Sequence, residues 1–195
     1  KIIKAQKIIQ SGYCSRRNFL KIGLAGTALG STSLYRIGRL FAQGGLSPVY
    51  RTLGRTGLKI TVVSFGAMLT PDSEVIRAAI DMGINYIDTA RRYMGGRNEE
   101  IVGKGIKGYR EKVTIATKVL ASSITKEHIV RDVEKSLRAL QTDYIDVIQL
   151  HNLTDSDRMY IPEVREALLT LRKQGKTRFF GITTHTNQAD ILHAM

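Results

Sequence analysis

Four ionisable side chains, Asp88, Tyr93, Lys118 and His151, are spaced so that they could act on one substrate. Asp88 ends a predicted strand and Tyr93 follows five residues later, Lys118 lies near the end of the next strand, and His151 directly follows the strand after that. Taken singly, each has a structural explanation: a turn cap, a loop anchor, a buried ion-pair partner and a satisfied core histidine. Their positions on three successive strand ends favour a shared site, because a barrel gathers such ends around one mouth.

This set of side chains could form a proton donor for an oxygen that gains negative charge. Tyrosine is a poor acid at neutral pH, since its ordinary pKa is about 10. A neighbouring ammonium lowers that pKa, and a carboxylate keeps the lysine charged and fixed in place. Histidine can hydrogen-bond a substrate oxygen and orient it. Reduction of a carbonyl by hydride is one reaction that such a set would serve, and the hydride must come from a cofactor.

The elements that would position these residues form an alternating series of strands and helices. Apolar runs predict strands over residues 61–66, 84–90, 113–119, 144–150 and 178–183. Helical patterns begin at Thr70, Glu99, Thr125, Pro162 and Asn187. From the second strand on, the strands begin about thirty residues apart, which is the size of a βαβ unit. The series predicts an α/β fold with a parallel sheet, either a (β/α)8 barrel or a doubly wound sheet.

Charge is concentrated at one end of the 195-residue chain. The formal net charge is +13, and residues 1–45 supply eight basic side chains and no acidic one. The hydrophobic share of 43% and the charged share of 24% are those of a globular protein. A single cysteine excludes a disulfide framework and a cysteine-based structural zinc site. Because the excess charge lies in a leader, we expect no nucleic-acid partner.

The leader, residues 1–45, has the pattern of an export signal. Paired arginines, Arg16 and Arg17, precede Phe19 and Leu20, and a weakly apolar stretch rich in Gly, Ala and Thr follows. This arrangement resembles a twin-arginine translocation signal. It predicts a bacterial periplasmic or exported protein that meets the twin-arginine machinery, and the membrane only during export. A basic amphipathic arm that touches an anionic membrane is the alternative.

A glycine motif in residues 103–108 (GKGIKG) matches G-x-G-x-x-G, but its position argues against a dinucleotide site. That site requires the motif to follow a strand and to open a helix, so that phosphate meets the helix N-terminus. Here the motif falls in the second half of a predicted helix, where the helix dipole repels phosphate. We therefore expect no Rossmann fold.

The body, residues 46–195, resembles the aldo-keto reductase family. The motifs that carry the resemblance occur in the family's order: residues 50–59 (YRTLGRTGLK), 65–66 (FG), 83–93 (GINYIDTARRY), 98–99 (NE), 116–118 (ATK), 136–146 (SLRALQTDYID), 149–151 (QLH) and 175–182 (GKTRFFGI). The resemblance implies a (β/α)8 TIM barrel of which about the first five βα units are present. It also implies NADPH-dependent reduction of aldehydes or ketones, or the reverse oxidation, with NADH as the other possible cofactor.

The resemblance assigns roles to individual residues. It implies that Tyr93 is the general acid, Lys118 the modulator of its pKa, Asp88 the partner of the lysine, and His151 the group that orients the carbonyl. It further implies contacts with the nicotinamide side of the cofactor, which we assign to Gly66, Ala67, Met68, Asp88, Thr183 and Thr184.

The sequence departs from the family at three points. The family often has Ser-Asn after the fifth strand to hold the nicotinamide carboxamide, whereas this chain has Thr183-Thr184, and Thr184 cannot supply an amide. Asn152 stands where many members carry Trp, which predicts a more polar substrate pocket. The sequence after Gly181 resembles a branch whose members can carry a C-terminal iron–sulfur segment, and nothing of that segment is present.

Several expectations remain open at this point. The chain begins at Lys1 rather than Met and ends inside a predicted helix, so we expect a clipped chain. Because five strands leave both sheet edges open, we expect residues 46–195 alone to be aggregation-prone and inactive. A nicotinamide-binding sensor or partner subunit, and a non-redox barrel enzyme, are the alternative functions. The histidines lack the spacing of helical zinc ligands, so we predict no metal site. Three arginines, Arg91, Arg92 and Arg97, could favour an acidic substrate, or could form a solvated loop face.

Overall fold

The computed structural model describes residues 47–120, 125–155, 157 and 161–194, so the predicted leader lies outside the described residues. Strands and helices alternate along most of this part of the chain. The strands are β1 (Tyr50–Thr52), β2 (Lys59–Thr61), β3 (Phe65–Gly66), β4 (Tyr86–Asp88), β5 (Thr114–Leu120), β6 (Ile145–His151) and β7 (Thr177–Ile182). The helices are α1 (Ser73–Asp81), α2 (Arg97–Ile106), α3 (Lys126–Leu140), α4 (Pro162–Lys173) and α5 (Gln188–His193).

Strands β3 to β7 form a parallel sheet in sequential order. Each connection between neighbouring strands from β3 to β7 carries one of the helices α1 to α4. The predicted α/β class, with βα units on a parallel sheet, is thus confirmed. The main hydrophobic core includes the alternate positions Ile87, Ile115 and Ile148 of the sheet, together with residues of the helices.

The hairpin β1–β2 contributes to a second, smaller hydrophobic cluster. Leu58, just before β2, packs with the buried side chains of Ala116 and Val147. Ala116 and Val147 are register partners, as are Val147 and Phe179. Because side chains alternate along a strand, this cluster marks the opposite face of the sheet from the helix-covered core.

The predicted first strand, residues 61–66, is wrong in length and burial. The structure ends β2 at Thr61 and confines β3 to Phe65–Gly66, while Val62 and Val63 are exposed. The N–H of Val62 donates to the carbonyl of Val49 at 2.8 Å. Val62 therefore continues the β1–β2 hairpin and does not join the parallel sheet.

The helix boundaries follow from their capping residues. Thr125 was predicted to open α3, and its hydroxyl accepts from the N–H of His128 at 3.3 Å. The predicted start of α1 at Thr70 is wrong. Asp72 is the N-cap, because its carboxylate accepts from the N–H of Glu74 at 2.9 Å, and the backbone N–H of Thr70 instead donates to Ala67.

The glycine motif spans the last turn of α2 and the two residues after it, as predicted. A Cβ on Gly103 would stand 2.7 Å from the carbonyl oxygen of Ala139, so this glycine lets α2 pack closely against α3. A Cβ on Gly105 would stand 2.9 Å from the side chain of Ile76 in α1. These glycines serve helix packing, which removes the motif as a phosphate-binding candidate.

Candidate active site

Strand register brings the predicted residues to one face and one end of the sheet. Asp88 is the register partner of Ala116, and Lys118 follows Ala116 by two residues. His151 follows Val147 by four residues at the carboxyl end of β6. Because side chains alternate along strands, these three project from the face that carries the hairpin cluster. Four side chains that the sequence predicted to converge therefore share one location, once Tyr93 is added from the loop after β4.

Lys118 lies at the centre of this group and is only 4% exposed. Its ammonium donates to Asp88 Oδ1 at 2.5 Å, to the carbonyl of Thr89 at 2.7 Å and to the Tyr93 hydroxyl at 3.2 Å. These three bonds use all three donors of the ammonium. The ammonium also lies 4.8 Å from the centre of the Tyr93 ring. The arrangement places a fixed positive charge against the phenolic oxygen, where it would stabilise a phenolate.

His151 faces the same tyrosine from β6. The two rings meet edge to face with their centroids 5.7 Å apart. Burial lowers the pKa of His151 from its usual 6.5, and the positive charges of Lys118 and Arg92 lower it further. The imidazole is therefore neutral at pH 7, and a neutral imidazole can donate a hydrogen bond to a substrate oxygen without adding charge. Its Nδ1 is buried and has no hydrogen-bond partner among the described residues.

The loop that carries Tyr93 follows an unusual backbone path. Met94 has φ of 51°, and Gly95 and Gly96 have φ of 66° and 96°, so three successive residues lie in the left-handed region. Methionine rarely adopts this conformation unless surrounding contacts hold it there. Those contacts come from Arg91 and from the first turn of α2.

Arg91 ties the loop to a buried carboxylate. Its guanidinium forms an ion pair with Glu99 and donates to the carbonyl of Gly96 at 2.9 Å. A Cβ on Gly96 would stand 2.4 Å from the Arg91 guanidinium, so the contact requires glycine there. Glu99 is fully buried and also accepts from the Thr117 hydroxyl at 2.7 Å. Thr117 precedes Lys118, so the tie joins the Tyr93 loop to the strand that carries the ammonium.

Burial changes the pKa of the Glu99 carboxyl. Loss of solvent raises the pKa of Glu99 above its usual 4.5, while the Thr117 hydrogen bond and the Arg91 charge act in the opposite direction.

A second buried residue, Asn98, accepts from the Thr89 hydroxyl at 2.6 Å and donates to the carbonyl of Ala67 at 2.7 Å. The first turn of α2 therefore links the ends of β3 and β4 to the middle of β5.

Three residues that were predicted to contact the cofactor follow or end β3. Gly66 is the register partner of Asp88, and no atom lies within 4 Å of the position that a Cβ on Gly66 would take. Ala67 is fully buried, and Met68 is 48% exposed. Gly66 thus leaves open space beside Asp88.

The remaining predicted residues follow β6 and β7. The hydroxyl of Thr183 accepts from the backbone N–H of Asn152 at 2.9 Å, which couples the two strand ends. Asn152 itself is exposed, with φ of 54°. The hydroxyl of Thr184 donates to the carbonyl of Thr186 at 2.5 Å and accepts from the N–H of the same residue. The hydroxyl of Thr184 thus forms its hydrogen bonds within its own loop, whereas Thr183 lies at the strand end.

Sequence reasoning missed the roles of Arg91, Asn98 and Glu99 as supports of the Tyr93 loop. A signal was available, because Asn98 and Glu99 form one of the motifs that carry the family resemblance. The carbonyl of Thr89, which accepts from the Lys118 ammonium, leaves no trace in residue type.

Among the residues that the structure describes, no group of three or more His, Cys, Asp or Glu could hold a metal ion. In that same part of the chain, no helix has the length and apolar character needed to cross a membrane.

Strands β3 to β7 and the loop after β4 thus bring Tyr93, Lys118, Asp88 and His151 together at the carboxyl end of a parallel sheet. The family model described as the Aldo/keto reductase family matches residues 70–195. The chain belongs to this family, and its strands β3 to β7 are part of a (β/α)8 barrel.

Individual relatives agree with this assignment. The chain is 38% identical over 149 residues to the uncharacterized oxidoreductase YqkF of Bacillus subtilis, a match that covers 69% of this chain and 48% of that protein. It is 34% identical to a putative voltage-gated potassium channel subunit beta of Schizosaccharomyces pombe, over 74% of this chain and 47% of that one. A solved aldo/keto reductase from Klebsiella pneumoniae, in complex with NADP and acetate, is 32% identical with a TM-score of 0.62, and the match covers 71% of this chain and 50% of that structure. The chain thus spans about half the length of the relatives that it matches.

Proposed function

We propose that the whole protein is an NAD(P)H-dependent oxidoreductase that reduces aldehyde or ketone carbonyls, with Tyr93 as the general acid. The observation that carries the proposal is the 3.2 Å contact from the Lys118 ammonium to the Tyr93 hydroxyl, with Asp88 holding the lysine from the other side. The family membership supports the class of reaction, and the NADP in the Klebsiella structure supports the cofactor.

In this mechanism the nicotinamide, when bound, supplies the hydride that reaches the carbonyl carbon. Gly66 and Met68 would face its ring, and Thr183 offers a hydroxyl at the end of β7. Tyr93 gives its proton to the carbonyl oxygen as negative charge develops there. Lys118 stabilises the phenolate that remains, and Asp88 balances the lysine charge. Neutral His151 orients the carbonyl oxygen toward the phenol.

The change Tyr93→Phe in the full-length protein tests this assignment. It removes the transferable proton and leaves the ring, so we expect loss of aldehyde reduction with NADPH by 10²-fold or more, on the order of a general acid's contribution. NADPH binding, followed by quenching of its fluorescence, is expected to stay within about twofold of the wild-type value, because the phenol is not proposed to bind the cofactor. Wild-type rates in Tyr93→Phe would disprove the role of the phenol.

A second candidate function is a nicotinamide-binding barrel that acts as a sensor or partner subunit without turnover. The observation in its favour is the match to a putative channel subunit beta. A complete Tyr–Lys–Asp–His cluster argues for turnover instead. A steady-state assay with NADPH, NADH and a panel of aldehydes distinguishes the two, since a sensor binds cofactor but consumes none at 340 nm.

We further propose that the protein is exported through the twin-arginine pathway. The support is the sequence of the leader, with Arg16 and Arg17 before an apolar stretch. Residues 1–45 fused to a reporter that is active only outside the cytoplasm would test it. Export should depend on the translocase and fail when both arginines are changed to lysine. Equal export of the double-lysine variant would refute the pathway.

A further inference from the structure

The side-chain amide of Asn98 lies in the first turn of α2, and the residue is fully buried. Its oxygen accepts a hydrogen bond from the Thr89 hydroxyl at 2.6 Å, and its nitrogen donates to the carbonyl of Ala67 at 2.7 Å. The same nitrogen lies 3.6 Å from the sulfur of Met94. A buried amide is costly unless both of its ends are bonded, so these contacts hold it in one orientation. None of the three partners belongs to α2, so the amide acts outside its own helix.

Thr89 stands between this amide and the ammonium of Lys118. The residue is fully buried, and its hydroxyl, its N–H and its carbonyl are all bonded. The hydroxyl donates to Asn98, and the N–H donates to the carbonyl of Ala116 at 2.9 Å. The carbonyl accepts from Lys118 at 2.7 Å. A threonine side chain has few rotamers, so the bond from its hydroxyl restrains the same backbone whose carbonyl meets the ammonium. The Asn98 amide therefore reaches the lysine through one residue.

The other two acceptors of the ammonium also lie next to partners of Asn98. Asp88 is reached through Ala67, because the N–H of Ala67 donates to the Asp88 carbonyl at 2.8 Å. The carbonyl of the same alanine accepts from the Asn98 amide. Tyr93 directly precedes Met94, whose sulfur faces that amide. One buried amide thus contacts or adjoins the segments that carry all three acceptors of the ammonium.

We infer that Asn98 and Thr89 are positioning residues, whose mutual hydrogen bond keeps the Lys118 ammonium within reach of the Tyr93 hydroxyl. The inference rests on the proposed function, and it assigns a part in the reduction to two residues that act only through the lysine. Of the three ammonium contacts, the one to the phenol is the longest, at 3.2 Å against 2.5 and 2.7 Å. It is therefore the contact that a small displacement breaks first. Without its hydroxyl bond the Thr89 carbonyl can turn, and the ammonium then moves toward the carboxylate of Asp88.

A purely structural role of the same hydrogen bond predicts a different outcome. Loss of a buried hydrogen bond lowers stability whether or not the site is affected. A positioning role adds a loss of kcat with little change in KM, because the ammonium acts on proton transfer and not on binding of the aldehyde. We expect a loss of about tenfold in kcat, which is less than the roughly 10²-fold that a misplacement of about 1 Å can cost.

The experiment compares the matched variants Thr89→Val and Thr89→Ser in the full-length protein with saturating NADPH. Valine has the shape of threonine but no hydroxyl, whereas serine keeps the hydroxyl. Thr89→Val should lower kcat for aldehyde reduction about tenfold with KM within about twofold, and Thr89→Ser should keep kcat within about threefold of the wild type. Asn98→Leu should lower kcat at least as much as Thr89→Val, because it removes the acceptor of the same bond. Chemical denaturation of each variant identifies conditions in which all of them are folded.

A second background shows whether the effect passes through the ammonium. In Lys118→Met, the added change Thr89→Val should alter the single-turnover rate by less than about twofold, because the group that Thr89 positions is gone. A loss of about tenfold in that background would overturn the inference. Wild-type kcat in folded Thr89→Val or Asn98→Leu, or an equal loss in Thr89→Ser, would also overturn it. Each of these results leaves the reductase function intact. If the wild type reduces no carbonyl compound at all, the proposed function itself fails.

Discussion

At the scale of single residues, the site depends on what surrounds Lys118 and His151. The ammonium has three acceptors, one of which is the phenol that we propose as the acid. His151 is kept neutral by burial and by two cations. The sequence predicted Asp88, Lys118 and His151 as site residues, because hydrophobic periodicity locates the strands and these residues lie at or near strand ends. Tyr93 was added because it follows Asp88 by five residues. The sequence could not supply the role of the Thr89 carbonyl, because every residue has a carbonyl and only the fold decides where it points.

The titration of His151 is a prediction at this scale. Its pKa should lie below 6.5 in the folded full-length protein and rise toward 6.5 in Arg92→Gln, because a neighbouring positive charge is removed. NMR of the imidazole signals measures both values, with Arg97→Gln as the control. The folded state binds this proton less readily than the unfolded state, so this group's contribution to stability falls as pH drops below 6.5. A His151 pKa above 6.5 in the wild type would contradict the described environment.

At the scale of elements, helix α2 covers the sheet and also supports the loop that carries Tyr93. Its first turn buries Asn98 and Glu99 and thereby holds the left-handed path of the loop that carries Tyr93. Sequence patterns predicted the helix but not this loop path, because residue types alone do not reveal the side-chain contacts of Arg91 with Gly96 and of Asn98 with Met94. The first sheet strand was predicted too long for a related reason. The N–H of Val62 still donates to the hairpin carbonyl of Val49, so only Phe65–Gly66 join the parallel sheet.

The change Glu99→Ala tests this support. It leaves the Arg91 guanidinium without its carboxylate and the Thr117 hydroxyl without its acceptor. Because Arg91 keeps partial contact with water, we expect a loss of about 2–3 kcal/mol in the free energy of unfolding. Glu100→Ala, an exposed change on the same turn, should lose less than about 0.5 kcal/mol.

Chemical denaturation of the two full-length variants measures these losses, and steady-state kinetics measures the site. Glu99→Ala should also lower kcat more than it raises KM, because Tyr93 would no longer be held against Lys118. Equal stability of the two variants would show that the Arg91–Glu99 pair does not support the loop.

At the scale of the whole molecule, the five-stranded sheet has two edges within the described residues. Strands β3 and β7 each pair with one neighbour only, and Val62, Val63 and Leu69 are exposed near the β3 edge. Exposed strand edges beside apolar side chains promote association between chains. The chain matches about half the length of its relatives, so the isolated segment and the full-length protein are expected to behave differently.

The isolated segment 46–195 is expected to associate with itself. We expect self-association in size-exclusion chromatography and no tight NADPH binding, because strands β3 and β7 leave both edges of its sheet unpaired. The full-length protein is the control for both measurements. A monomeric segment with a cooperative thermal transition and tight NADPH binding would contradict this expectation.

In the proposed mechanism, Tyr93 and Lys118 act as one unit in proton transfer. A double-mutant cycle of Tyr93→Phe and Lys118→Met tests this coupling. The cycle is read as the single-turnover rate of aldehyde reduction by full-length protein saturated with NADPH. If the two act together, the double variant should be no slower than the slower single variant, because the second change removes an interaction that the first has already abolished. Losses that multiply across the two changes would mean that the ammonium and the phenol act independently, and the proposed mechanism would be contradicted.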